Sequence, residues 1–317
     1  MKSDPDLSAE QSAQLRLLEA LAERGYEFVP VTPESQSRVL ARPGFTTAKD
    51  LRGVFGWSLP FAEGMIDPEI VGLADAAGLL RPHSLGLASS ARVSSVRGRL
   101  FLHSAFPTEE EDSVFLGPDS CRFVDFVLAH LAERAPFKRL VDIGAGNGVG
   151  AITVAAELGG RVELADVNLK ALAFAEVNAA AAGVAIDIVE SDGLEKVAAG
   201  FDVAIANPPF IFEENAPFYR GGGGMHGAQK SFDWAIEAAG KLAPGGCIFL
   251  YTGSAIVDGV DRLRARLEEK LPALNCGLEY REIDPDIFGE ELAKPAYANV
   301  ERIAAIGAVI EKRGDRP

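Results

Sequence analysis

From residue 139 onward the chain alternates short apolar runs with helical stretches, and that alternation narrows the folds open to it. Arg139–Ile143, Val162–Ala165, Ala185–Val189, Val203–Ala206 and Ile248–Tyr251 are mostly apolar, the pattern of strands buried on both faces. Between them Ala151–Leu158, Leu169–Ala182, Phe232–Leu242 and Val260–Leu271 carry helical spacing, and Phe123, Val124, Val127, Leu128 and Leu131 mark a helix face ahead of the first strand. Neighbouring parallel strands need crossovers of this length, and the crossovers keep one hand. Leu278–Ile283 and Ile303–Ile310 have no long helix between them and are expected as an antiparallel edge pair. The reading is an α/β fold with a doubly wound, mostly parallel seven-stranded sheet.

The first part of the chain follows another pattern. Ser8 followed by Gln11 reads as a capping box, opening a helix with Leu15, Leu18 and Ala22 on one face and an end at Gly25. Thr46–Val54 and Asp67–Leu80 read as further short helices, broken by Gly44, Gly56, Pro60 and Pro82. Leu85–Ala91 and Arg92–Ser104 carry β-type runs interrupted at Gly98, as in a hairpin. A winged helix and a helical cap with a β-ribbon both fit. The run Glu109-Glu110-Glu111-Asp112 reads as the joint, which gives a helical N-terminal domain with a β-hairpin over 1–112, expected to recognise substrate, and the α/β domain over 113–317.

Three scattered cysteines, Cys121, Cys247 and Cys276, form no CxxC pair, so neither a disulfide framework nor a metal is expected. The polar N-terminus and the lack of an apolar run of spanning length point to a cytoplasmic protein without a membrane partner. A net charge of −15 opposes an extended phosphate-tracking surface. Residues 81–105 contain Arg81, Arg92, Arg97, Arg99, His83 and His103 but no acid, a candidate local patch for RNA.

Polar residues gather where the strands end. Asp142-Ile143-Gly144-Ala145-Gly146-Asn147-Gly148 closes the first strand with glycines that permit a tight turn and close approach of a ligand. Val149 stands where a dinucleotide fingerprint has its third glycine. Asp166 ends the second strand one βαβ step later, where a carboxylate accepts from ribose hydroxyls, and Asp192-Gly193 follows the third. The fourth stops at Asn207-Pro208-Pro209-Phe210, because proline cannot continue a strand ladder.

This set resembles the class I S-adenosylmethionine-dependent methyltransferases over about Phe115 to Thr252. The resemblance implies S-adenosyl-L-methionine as cofactor. It would be held by Asp142, Gly144, Ala145, Gly146, Asn147 and Gly148, by Asp166, Val167 and Asn168, by Ser191, Asp192 and Gly193, and by Asn207. It also makes Asn207, Pro208, Pro209 and Phe210 the catalytic motif. The lone pair of an amide or exocyclic amino nitrogen is delocalised, so the nitrogen is a weak nucleophile. If the Asn207 side-chain oxygen and the Pro208 carbonyl accept its two N–H bonds, the lone pair is held toward the methyl group, and such positioning contributes several kcal/mol. Phe210 would offer a ring face to a planar target. Tyr219 and Arg220, ahead of Gly221-Gly222-Gly223-Gly224, are further candidates for substrate contact, in a segment with the composition of a lid, and His226 is a candidate proton relay. His130 is expected to be structural.

Phe115-Leu116-Gly117-Pro118-Asp119-Ser120 is similar to the segment that precedes the domain in release-factor glutamine methyltransferases, which usually have Arg where Gly117 stands and Tyr where Phe210 stands. The best reading is a protein glutamine side chain as substrate. The alternative is structured RNA or another nucleic acid, methylated at adenine N6 or guanine N2, since the Phe-ending motif is found in ribosomal-RNA base methyltransferases. An NAD-dependent oxidoreductase or a non-catalytic nucleotide-binding module would use the same sheet, but neither needs Asn-Pro-Pro-Phe.

Overall fold

The computed structural model describes residues 7–108, 110–212 and 221–314. Its contacts divide the chain into two compact units, one of Met1–Val124, Gly146–Glu157 and Asn168–Ile186, the other of Asp125–Ala145, Leu158–Val167 and Asp187–Pro317. The chain runs through helices α1 (Ala9–Glu23), α2 (Pro33–Leu40), α3 (Leu51–Phe55) and α4 (Pro68–Ala76), then strands β1 (Leu80–His83), β2 (Gly86–Ser89), β3 (Ala91–Val96) and β4 (Arg99–Ser104). Next come α5 (Pro118–Leu131), β5 (Arg139–Ile143), α6 (Val149–Leu158), β6 (Arg161–Asp166), α7 (Leu169–Ala182), β7 (Ile186–Glu190) and β8 (Phe201–Ala206). α8 (Gln229–Lys241), β9 (Leu242–Val257), β10 (Val260–Asp261), α9 (Arg262–Lys270), β11 (Cys276–Asp284) and β12 (Arg302–Lys312) complete it.

In the first unit the capping box forms as expected: Gln11 N donates to Ser8 Oγ at 3.1 Å and Ser8 N to Gln11 Oε1 at 3.0 Å. The buried face of α1 is Ala13, Leu17, Leu18, Ala20 and Leu21, whereas Ala22 is exposed. Leu18 lies in this face and Leu15 packs against it, so of the expected stripe only Ala22 falls outside. The face packs with Ile70 and Ala74 of α4 and with Ala171, Phe174 and Val177 of α7. The expected helix at Thr46–Val54 is confined to α3, because Asp50 caps it, its Oδ1 accepting from Gly53 N at 2.7 Å. Helix α2, marked by Thr32-Pro33 as a start signal, was not anticipated. The one expected hairpin is two, β1 with β2 and β3 with β4. Arg97 (φ 48°) and Gly98 (φ 76°) make the tight β3–β4 turn, whose two positive φ angles match the twist of the strands.

The arginine-rich stretch does not form one continuous surface patch: Arg81 and His83 are exposed, but the other four groups are committed elsewhere. Arg92 is 2% exposed, donating from Nη1 to Gln36 Oε1 at 3.1 Å, and His103 is fully buried with Nε2 2.8 Å from Ser94 Oγ. Arg97 and Arg99 lie on Glu157, at 2.8 and 3.6 Å. Sequence shows the charges but not that two of these groups point inward and two meet an acid.

Burial, and then the nearby Arg92, hold His103 well below its ordinary pKa. A histidine depressed in the folded state favours folding fully above its unfolded pKa of about 6.5; below that the unfolded chain binds the extra proton. Stability is therefore expected to fall between pH 7 and 5 with a His103 contribution approaching about 1.4 kcal/mol per pH unit. His103→Gln should flatten that dependence, as thermal melts across the range would show.

In the second unit the strands are ordered β11-β12-β9-β8-β5-β6-β7, with the two-residue β10 paired to β9. β5 pairs in parallel with both β6 and β8, and β8 with β9, while β12 is antiparallel to β9 and β11. This is the expected mostly parallel sheet of seven main strands, closed by the antiparallel pair. Its core joins Val141, Ile143, Ala204 and Ile248 of the sheet to Ala235, Ala238 and Ala239 of α8 and Leu263 and Leu267 of α9. Small alanines on α8 let that helix lie close to the strands. The expected helix at Val260–Leu271 begins at Arg262, where Asp261 Oδ1 accepts from Arg264 N at 3.0 Å.

Candidate active site at the strand ends

The parallel register brings the polar residues level. Ile143 of β5 pairs with Ala165 of β6 on one side and Ala206 of β8 on the other, so Gly144, Asp166 and Asn207 stand beside one another just past those rungs. Ser191 N donates to Asp166 O at 3.0 Å, bringing the Ser191-Asp192-Gly193 turn to the same edge. Asp142 is buried at 2% exposure, one residue inside β5. Gly144 N and Ala145 N both donate to Ala165 O, at 2.8 and 3.1 Å, which folds the β5 turn toward β6.

The glycines answer to geometry. Gly144 has φ 68°, and a Cβ there would lie 2.5 Å from the indole of Trp234 on α8. Gly193 has φ 52°, and its Cβ would lie 2.9 Å from the same indole's Nε1. Trp234 thus abuts the turns after β5 and β7, a placement with no sequence motif to announce it. One turn earlier on α8, Lys230 is buried with its Nζ 5.7 Å from the Trp234 ring centroid. Burial pushes the Lys230 ammonium below its ordinary pKa, against the pull of Asp192 and Asp166. In the first unit, Gly146 (φ 56°) and Gly148 (φ 78°) flank Asn147, and a Cβ on Gly146 would meet nothing within 4 Å. Asn147 is 1% exposed and spends its Nδ2 on Leu102 O at 2.8 Å. Asn168 caps α7, its Oδ1 accepting from Lys170 N and Ala171 N.

Asn207 follows directly on β8, and its Oδ1 is buried without a hydrogen-bond partner among the described residues. Buried side-chain oxygens are nearly always paired, so this acceptor is held ready for a donor from outside the fold. Pro208-Pro209 supply no N–H, which stops the ladder and stiffens the turn. The Phe210 ring packs over Gly253, where a Cβ would be 2.4 Å from a ring carbon, and meets Phe288 edge-on with centroids 5.5 Å apart. Tyr219 and Arg220, with Phe218, lie outside the described residues. His226 Nε2 is 3.2 Å from Asn299 Oδ1. His130 has Nδ1 2.7 Å from Phe126 O and its ring on Phe126, a packing role.

Residues 285–301, between β11 and β12, supply groups the sequence did not signal. Tyr297, 1% exposed, accepts from Phe212 N at 2.8 Å and donates to His226 O at 3.2 Å, pinning the chain just after the proline turn. Phe288 (φ 54°), Met225 (φ 53°) and His226 (φ 52°) all hold the left-handed conformation without being glycine, each at a cost of about 1 kcal/mol or more, and such strain gathers where geometry is functional. One signal was available, since the connection far exceeds the roughly 2–5 residues of an ordinary hairpin loop. Tyr297→Phe leaves Phe212 N–H and His226 C=O short of a partner at a cost of about 1–3 kcal/mol. It is expected to reduce turnover while leaving cofactor affinity unchanged, as parallel kinetics and calorimetry would show.

Residues 122–220 match the family model described as methyltransferase small domain. Over this segment the chain is similar to that family. The release factor glutamine methyltransferase of Lactococcus lactis is 26% identical over 190 residues, covering 55% of this chain and 65% of that protein. The ribosomal RNA small subunit methyltransferase C of Hahella chejuensis is 46% identical over 74 residues, 23% of this chain and 22% of that protein. The chain thus spans less than two thirds of the length of either relative. The crystal structure of the Pyrococcus horikoshii protein PH0793 superposes with a TM-score of 0.50 at 12% identity, over 95% of this chain and 99% of that one, a likeness of fold. The strand-end residues from Asp142 to Asn207 all lie within the matched segment. Among the described residues no helix is long and apolar enough to cross a membrane, and no group of three His, Cys, Asp or Glu is arranged to hold a metal.

Proposed function

We propose that the protein is an S-adenosylmethionine-dependent N-methyltransferase acting on a planar amide nitrogen, a protein glutamine side chain. The observation that carries this reading is the buried, unpartnered Oδ1 of Asn207 at the end of β8. S-adenosylmethionine, when bound, supplies a methyl group on a cationic sulfur. Asp142, Asp166 and Asp192 suit its ammonium, ribose hydroxyls and adenine amine, and the positive-φ glycines leave room beside the backbone. Asn207 Oδ1 and the Pro208 carbonyl would accept the two amide N–H bonds, aligning the nitrogen lone pair and favouring loss of a proton as the new bond forms. The rigid Pro-Pro turn means that little reorganisation accompanies substrate binding. Residues 1–112 would recognise the substrate from the N-terminal side, and a cytoplasmic setting fits an acidic chain meeting a protein partner.

The glutamine reading is preferred over a nucleic-acid base because Arg92 and His103 are buried and Arg97 and Arg99 are committed to Glu157, which leaves only Arg81 and His83 of the stretch that favoured RNA exposed without such a commitment. Labelled methyl transfer into an extract of the cells that make the protein, followed by protease or nuclease, tests the choice. Label removed by protease and kept through nuclease is expected; label released by nuclease would assign the substrate to RNA instead.

A further inference from the structure

The second half of the β5 turn is held to the β3–β4 hairpin by two side chains, Asn178 and Asn147. β4 belongs to a two-stranded sheet, so one of its edges has no neighbouring strand. Asn178 of α7, fully buried, takes the place of one: its Oδ1 accepts from Leu102 N at 2.8 Å and its Nδ2 donates to Leu102 O at 3.2 Å. The same Nδ2 donates to Asn147 O at 3.0 Å, and Asn147 Nδ2 returns to Leu102 O at 2.8 Å. Asn147 sits between Gly146 and Gly148, whose positive φ angles leave that stretch with little conformational preference of its own. The three-way amide network ties that stretch to the hairpin and is buried: Leu102 and Asn178 are 0% exposed and Asn147 is 1% exposed. Partly satisfied networks of this kind are costly, so its members hold or fail together.

We propose that Asn178 is a positioning residue for the cofactor, fixing the Gly146–Gly148 turn to Leu102 of the hairpin so that hairpin order and cofactor affinity are coupled. The inference rests on the S-adenosylmethionine reading. Coupling of this kind is reciprocal: what orders the hairpin tightens cofactor binding, and cofactor binding steadies the hairpin.

Calorimetry with S-adenosylmethionine on the full chain, and amide hydrogen exchange over residues 91–104 with and without S-adenosylhomocysteine, test it together. Wild type is expected to bind, with exchange over 91–104 slowed on binding, and Asn178→Leu or Asn147→Ala to bind about tenfold more weakly or worse. Because both variants break one network, the double variant should lose little more than either alone. If Asn178→Leu fails to melt cooperatively, Asn147→Ala and the wild-type exchange carry the decision. Unchanged affinity in the variants together with unchanged hairpin exchange would overturn the inference while leaving the cofactor reading intact. Absence of binding by wild type would overturn both.

Discussion

Asn207→Ala is expected to lower methyl transfer by about 10²–10³-fold, the loss typical when one preorganised polar group is removed from a reaction centre. Cofactor affinity should barely change, because the Asp166 carboxylate and the turns after β5 and β7 remain. Oδ1 of Asn207 decides the effect on stability. It is buried without a partner among the described residues, so alanine removes no hydrogen bond made by that oxygen there and should leave stability near that of wild type. Asn207→Asp keeps an acceptor of similar shape but adds a charge, and should retain more activity than alanine. Steady-state turnover, calorimetric affinity and a thermal melt on each variant check all three statements; a stable Asn207→Ala protein with full turnover would remove the motif from the mechanism.

Gly227→Ala is expected to abolish turnover as well, by steric force. Gly227 holds φ 99°, and a Cβ there would lie 2.1 Å from the Phe210 carbonyl oxygen and 2.7 Å from its carbon. Both obstacles are backbone, so no side chain can swing aside; the segment carrying Phe210 must move. Left-handed strain and overpacking together should cost about 2–4 kcal/mol. Gly240→Ala is the matched control: it lies in α8, has an ordinary φ and meets nothing within 4 Å, so alanine there should stabilise by about 0.5–1 kcal/mol and leave turnover alone. Urea denaturation and kinetics on the pair separate a local displacement from general loss of fold.

Sequence carried the sheet well because its information is local. Strand runs such as Val203–Ala206 and the stop at Pro208 depend on side-chain type and on the missing proline N–H, both visible in one dimension. The level alignment of Gly144, Asp166 and Asn207 follows once the strands are taken as parallel neighbours. Tyr297 was out of reach, since it meets Phe212 only after β11 and β12 have folded back onto the sheet. Trp234 likewise acquires meaning only when α8 packs its indole against Gly144 and Gly193. Arg92 and His103 misled for a related reason: charge composition records which groups are present and says nothing of which face a hairpin turns inward. On α1 the stripe placed Leu15 and Leu18 correctly and missed only at Ala22, because the helix is apolar on more positions than one face requires.

The central claim is that this chain transfers a methyl group from S-adenosylmethionine to a carboxamide nitrogen held by Asn207. Its most direct test is mass spectrometry of a purified bacterial release factor incubated with the protein and methyl-labelled S-adenosylmethionine. The account predicts one added methyl on a glutamine side-chain nitrogen with wild type and none with Asn207→Ala. An unmodified release factor, with label recovered instead on the bases of ribosomal RNA in a parallel reaction, would contradict it.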